Sequence, residues 1–177
     1  MEKIRISLYF FITLLLFSCH TSRNMTGKIA VSGKEIQETQ TVYSSLNMSP
    51  AQGDYYPLYK ECATWIGVPH RYGGTNKNGV DCSGLVMRIY KDVYGLCLSR
   101  SSGLIYRNDC KPISKKQLQE GDLVFFSTSK KEKINHVGIY LRNGYFIHTS
   151  SSRGVIVSRL DEAYYRHAWK GAGRVKR

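Results

Sequence analysis

Acidic residues are scarce in this chain. Thirteen Asp and Glu stand against 26 Lys and Arg in 177 residues, a formal charge of +13. That imbalance favours polyanions or carboxylate-rich surfaces as partners and leaves the fold open. The basic residues are scattered, without a basic helix or a Lys/Arg block, which argues against nucleic acid. Zinc-type spacing is missing too: there is no CxxC and no His/Cys cluster, so a metal site is not expected. No internal repeat occurs, and this length allows one domain with a real core and little room for a second. No apolar run approaches the roughly 20 residues that a membrane-spanning helix needs.

The one notable apolar run, Ile6 to Phe17, follows Lys3 and Arg5 and ends at Ser18-Cys19. About a dozen residues suit the hydrophobic region of a signal peptide; a short uncleaved anchor is the competing reading. "LFSC" resembles the bacterial lipobox, with Phe17 bulkier than usual at its position. The resemblance implies a signal peptide over 1–18, lipidation of Cys19 and a place in the cell envelope, attached to a membrane (the outer one expected) and facing the periplasm. Residues 19–54 are rich in Ser, Thr, Gln, Asn and Gly with isolated apolar residues, the composition of a flexible tether. About 35 such residues would have an r.m.s. span near ~30–35 Å. The folded domain is expected over 55–177.

Within that domain, "PLYKECATWIG" predicts a helix: Pro57 opens it, Leu58, Cys62, Trp65 and Ile66 share a face, and Gly67 stops it. A second helix is expected from about Cys82, burying Leu85, Val86, Ile89 and Val93. After a loop holding Arg100 and Cys110 the period changes. "DLVFFS", "HVGIYLR", "YFIHTS" and "GVIVSRL" read as short strands of an antiparallel meander, and the tail as one short helix with an edge strand. Helices followed by strands indicate an α+β domain.

Cys82, in "GVDCSGLVMRIY", is open to several readings. With Asp81 as N-cap it lies in the first helical turn, where free N–H groups and the helix dipole favour a thiolate. Ser83 and Gly84 would add N–H groups for an oxyanion, with Gly84 leaving space for a substrate carbonyl. A buried structural thiol would look the same. So would a disulfide half, since Cys62, Cys82, Cys97 and Cys110 allow three full pairings in an oxidising compartment. Cys62 itself reads as a core residue.

A nucleophile needs a base and a group to orient it. His20, His70 and His167 fall in the tether, a loop and the tail and read as solvated. His136 and His148 lie on consecutive strands joined by "RNGY", and the register decides whether they meet. A tight two-residue turn at Asn143-Gly144 pairs Ile139 with His148, puts the histidines on opposite faces and would exclude the catalytic reading. A three-residue connection, with Gly144 left-handed and a bulge, pairs Gly138 with His148 and His136 with Ser150, on one face.

"RYGG", "DCSGLV", "QEGDLVFF", "HVGIYL" and "FIHTS" together resemble the NlpC family of papain-like bacterial cell-wall cysteine peptidases, from about Leu58 to Val175. The likeness is strongest to small lipoprotein murein endopeptidases. The resemblance implies Cys82 as nucleophile, His136 as general base and acid, and His148 as the polar residue that orients it. It implies Tyr72 lining the site, Asp81 and Ser83 contacting the substrate, and Arg100 in the loop before the sheet. That loop departs from the family pattern at Ser99 and near Ile105. The implied substrate is the peptidoglycan stem peptide, cut between D-glutamate and the diamino acid by a monomeric, cofactor-free enzyme. Three rivals are an amidase or acyltransferase on the same Cys/His pair, a wall-binding lipoprotein without activity, and a disulfide-framework protein.

Overall fold

In a computed structural model, residues 32–129 and 133–176 are described. The signal peptide, Cys19, His20 and the first part of the expected tether lie outside them. The first described element already departs from expectation. Residues Gly33–Ser45 form a helix, α1, started by a capping box in which Ser32 and Glu35 exchange hydrogen bonds. Tyr43 and Leu46 are buried, and Tyr43 stacks on Tyr59 at 4.7 Å between ring centres. The connection that follows is tied down by an ion pair from Asp54 to Arg142 and by Glu120, which accepts from Tyr55 N and the Tyr59 hydroxyl. Residues 32–54 are therefore part of the folded domain. The tether reading fails there because a few buried aromatic side chains outweigh a polar average composition.

Helix α2 (Tyr56–Trp65) carries Pro57 in its first turn, buries Leu58, Cys62 and Trp65, and ends before Gly67, whose φ is 80°. The Pro/Gly/Asn-rich loop after it forms a minimal hairpin of β1 (Thr75–Asn76) and β2 (Gly79–Val80). Helix α3 (Cys82–Tyr94) runs to a left-handed Gly95 and buries Leu85, Val86 and Ile89, with Val93 only half-buried. A short turn, α4 (Ser102–Leu104), then continues into one π-helical turn over Ile105–Asp109.

The sheet has six strands, all pairing antiparallel: β3 (Cys110–Ile113), β4 (Leu123–Phe126), β5 (His136–Tyr140), β6 (Tyr145–Ser150), β7 (Gly154–Arg159) and β8 (Trp169–Val175). Their spatial order is β3-β8-β4-β5-β6-β7. The expected meander is β4 to β7. The tail strand, however, is not at an edge: β8, after the short helix α5 (Ala163–Ala168), inserts between β4 and β3. Glycine explains the misreading. Gly171 and Gly173 depress strand propensity, yet Gly173 is needed because a Cβ there would lie 2.6 Å from the Cys110 Cβ. The larger core fills the space between α1–α3 and one sheet face, and a smaller cluster of Phe126, Phe146, Leu160, Tyr165 and Ala168 covers the other. Cys62, Cys82, Cys97 and Cys110 are all free, so none of the considered disulfides forms.

Candidate active site

The β5–β6 hairpin settles the register. Ile139 pairs with Ile147 and Tyr140 with Phe146, so Gly138 faces His148 and His136 and His148 share a sheet face. The turn achieves this in an unanticipated way. Asn143 (φ 51°) and Gly144 (φ 83°) are both left-handed, and Tyr145 N donates to Arg142 O at 2.8 Å, a tight two-residue turn. Leu141 N also donates to Tyr145 O, at 2.9 Å, so Leu141 and Arg142 together oppose one residue. The bulge is in the strand before the turn, not at Gly144. At Gly138 a Cβ would come within 3.2 Å of the His148 Cβ and 2.7 Å of the Phe146 ring, so only glycine leaves the two imidazoles this room.

His136 Nε2 lies 3.1 Å from His148 Nδ1, with the rings nearly perpendicular. Nε2 being engaged, Nδ1 is the ring nitrogen of His136 left for other chemistry. Deeper in, His148 Nε2 is 3.0 Å from the Tyr165 hydroxyl and 3.2 Å from Ser158 Oγ. Burial, with positive charge at His70, lowers His136 to about 4, and burial with the neighbouring His136 lowers His148 to about 3. Both rings are neutral at physiological pH.

Cys82 opens α3 beside the strand that begins at His136. Its thiol donates weakly to Asn135 O at 3.9 Å, and the Val137 and Ser83 amides also face the sulfur. Burial nevertheless raises the thiol above its ordinary range, opposed only in part by those amides. The helix start favours the thiolate through these amides, and desolvation outweighs them. Gly84 is corrected as well. Its N–H is spent on Asp81 Oδ1 at 2.7 Å, and a Cβ there would lie 2.2 Å from Gly74 O. Gly84 admits the protein's own loop and leaves no gap for a substrate carbonyl.

Asp81 is the hub of the adjoining polar cluster. Besides capping α3, it accepts from Gly73 N at 2.9 Å and holds Arg100 through two bonds of 3.0 and 2.6 Å. Ser83 Oγ donates to Asp81 Oδ1 and accepts from Arg100 Nη1 at 2.9 Å. Burial pushes the Asp81 carboxyl up, but Arg100, the Gly84 amide and Ser83 outweigh it and hold the group below its usual range. Arg100 thus reaches the site despite its divergent loop. Tyr72, 95% exposed, stands at the rim.

All seven residues line one cleft of about 870 Å³. Sequence reasoning missed others on its wall. His70 was read as solvated; it is exposed but faces the cleft, as do Asn135, Arg153, Tyr164 and Tyr165. His167 is outside, bonded to Ala163 O. One signal for Ser158 was available: in "GVIVSRL" it alternates with Ile156 onto the face of His148, a polar residue at an inward position. Among the described residues no cluster of His, Cys, Asp and Glu could hold a metal.

A family model described as NlpC/P60 family matches residues 67–174. The chain is 34% identical over 168 residues to the murein DD-endopeptidase MepS/murein LD-carboxypeptidase of Escherichia coli (strain K12), covering 93% of this chain and 88% of that one. It is 37% identical over 126 residues to the gamma-DL-glutamyl hydrolase of Bacillus subtilis (strain 168), over 71% of this chain and 30% of that protein. An NlpC/P60 family protein from Bacillus cereus ATCC 10987 superposes with a TM-score of 0.60 at 34% identity, over 71% of this chain and 40% of that one.

Proposed function

Because the chain belongs to the NlpC/P60 family, we propose that it is a cysteine peptidase that hydrolyses amide bonds of peptidoglycan stem peptides. The observation that carries this reading is one cleft holding a helix-start thiol and a hydrogen-bonded pair of imidazoles. His136 Nδ1 takes the Cys82 proton as the sulfur attacks the substrate carbonyl. N–H groups at the start of α3 stabilise the oxyanion, and Gly84 is excluded from that role. His136 then gives the proton to the leaving amine, the acyl-enzyme forms, and a water activated by His136 releases the acid. His148 holds the His136 ring through Nε2, and the Asp81–Ser83–Arg100 cluster and Tyr72 receive the peptide on one side of the sulfur.

The proposed bond is that between D-glutamate and the diamino acid, in keeping with the gamma-DL-glutamyl name of one relative. A second reading, cleavage of a DD cross-link, is favoured by the MepS relative, which aligns over nearly its whole length. The stem-peptide carboxylates also suit a chain of charge +13. We place the protein in the cell envelope, anchored through a lipid on Cys19, working as a monomer.

Incubating the full chain with defined linear and cross-linked muropeptides, with products read by mass spectrometry, tests activity and bond together. Cys82→Ala is expected to lose about 10³-fold or more of the rate. Retained cleavage by Cys82→Ala, or intact substrates with well-folded protein, overturns the peptidase reading. Acyl groups found on an added amine in place of hydrolysed product would mark an acyltransferase instead.

A further inference from the structure

The inner end of the histidine pair imposes a condition that His136 and His148 cannot meet by themselves. A neutral imidazole carries one proton on one of two nitrogens, and the other nitrogen accepts. For His136 Nδ1 to take the thiol proton, Nε2 must hold the ring's own hydrogen and donate it to His148 Nδ1, 3.1 Å away. His148 Nδ1 must then be bare, so its hydrogen is on Nε2. That buried N–H requires an acceptor, since leaving it unpaired would favour the opposite tautomer. The opposite tautomer sends Nδ1–H of His148 toward His136 and places the His136 hydrogen on the nitrogen meant to be the base.

We propose that Tyr165 and Ser158 are positioning residues that satisfy the His148 tautomer which leaves His136 Nδ1 basic, their hydroxyl oxygens accepting the His148 Nε2–H. Their oxygens lie 3.0 and 3.2 Å from that nitrogen, and His148, Tyr165 and Ser158 are 1%, 6% and 5% exposed. Among the described residues no carboxylate is bonded to His148 Nε2. Hydroxyls suit this place because each accepts without adding a charge that would make a buried imidazole more basic. The fold provides both from separate elements: Ser158 from β7, through strand alternation, and Tyr165 from α5, whose ring packs edge-on against Phe146 at 4.9 Å. Two acceptors on one N–H make each partly redundant.

The proposal rests on His136 acting as base, yet its first test does not need activity. Nitrogen-15 NMR of the full chain at neutral pH should find His148 protonated at Nε2 and bare at Nδ1; an Nδ1–H form overturns the proposal. Tyr165→Phe and Ser158→Ala are each expected to lower kcat about 3- to 10-fold with KM little changed, and the double variant at least about 10²-fold. The double variant should shift the His148 resonances toward the other tautomer, while Ser158→Thr, which keeps the hydroxyl, restores the rate. Wild-type kcat and resonances in a folded double variant refute it. If the wild type cuts no muropeptide while His148 is Nε2–H, the functional reading fails and the tautomer assignment stands.

Discussion

A thiol at a helix start is drawn toward ionisation by free N–H groups and pushed away from it by burial. At Cys82 burial prevails, and at His136 burial with the nearby His70 has the same consequence, so the resting pair is an uncharged thiol and imidazole. Proton transfer then belongs to the reaction and is not completed beforehand. This has a readable signature in the pH dependence of kcat/KM. A base must be unprotonated to act, so activity is lost as pH falls through the His136 value of about 4. It should be level from about that point through neutrality, until the raised thiol ionises and no proton remains for the leaving amine. Steady-state rates between pH 3.5 and 9 on one defined muropeptide check this. An acid limb at the ordinary histidine value would show that the pair titrates as a solvated one.

At the scale of elements, the decisive feature is the extra residue before the turn. Arg142 is that residue, and it also carries the ion pair to Asp54 and a bond to Ser49 O. These roles can be separated. Deleting Arg142 leaves Leu141 and Tyr145 flanking the Asn143-Gly144 turn, so the pairing of Gly138 with His148 survives without a bulge. The deletion should keep activity within about 10-fold. Stability should fall by about 1–3 kcal/mol, because the nearly buried Asp54 carboxylate loses its partner at a site still partly open to solvent. Urea denaturation beside muropeptide turnover measures both; lost activity at retained stability would mean that the bulge itself is needed. The bulge was legible as a requirement, since two histidines twelve residues apart can meet in only one of two registers. Its position was not, because Asn-Gly supports a tight turn in either case. The β4–β7 strands were readable from alternation and β8 as a strand of the tail, whereas its central place was hidden by two glycines whose value lies in contacts with distant residues. Helix α1 announced itself only through the Ser32 and Glu35 cap, and its docking depends on Tyr59, which composition cannot reveal.

For the molecule as a whole, the buried His148 imidazole and the half-buried His136 imidazole couple the site to acid stability. In the unfolded chain each histidine takes up a proton near pH ~6.5; in the fold His136 does so only near 4 and His148 near 3. Below the unfolded value the unfolded state binds more protons, so stability falls as pH falls, and each ring's contribution stops changing below its folded value. The slope is at most about 1.4 kcal/mol per pH unit for each ring. His70 and Arg153 add to the effect, since their positive charge lowers His136 and His148 respectively. Asp81, held below its usual range, begins to withdraw its own share as pH drops below ~3.9. The unfolding free energy should therefore decline between pH 6.5 and 4, before the carboxylates are protonated. Replacing His148 by Asn, which keeps a polar side chain beside His136, should roughly halve that slope. Denaturant titrations of both proteins at half-unit pH steps give the comparison, and equal slopes would mean that His148 is protonated in the fold as readily as in the unfolded chain.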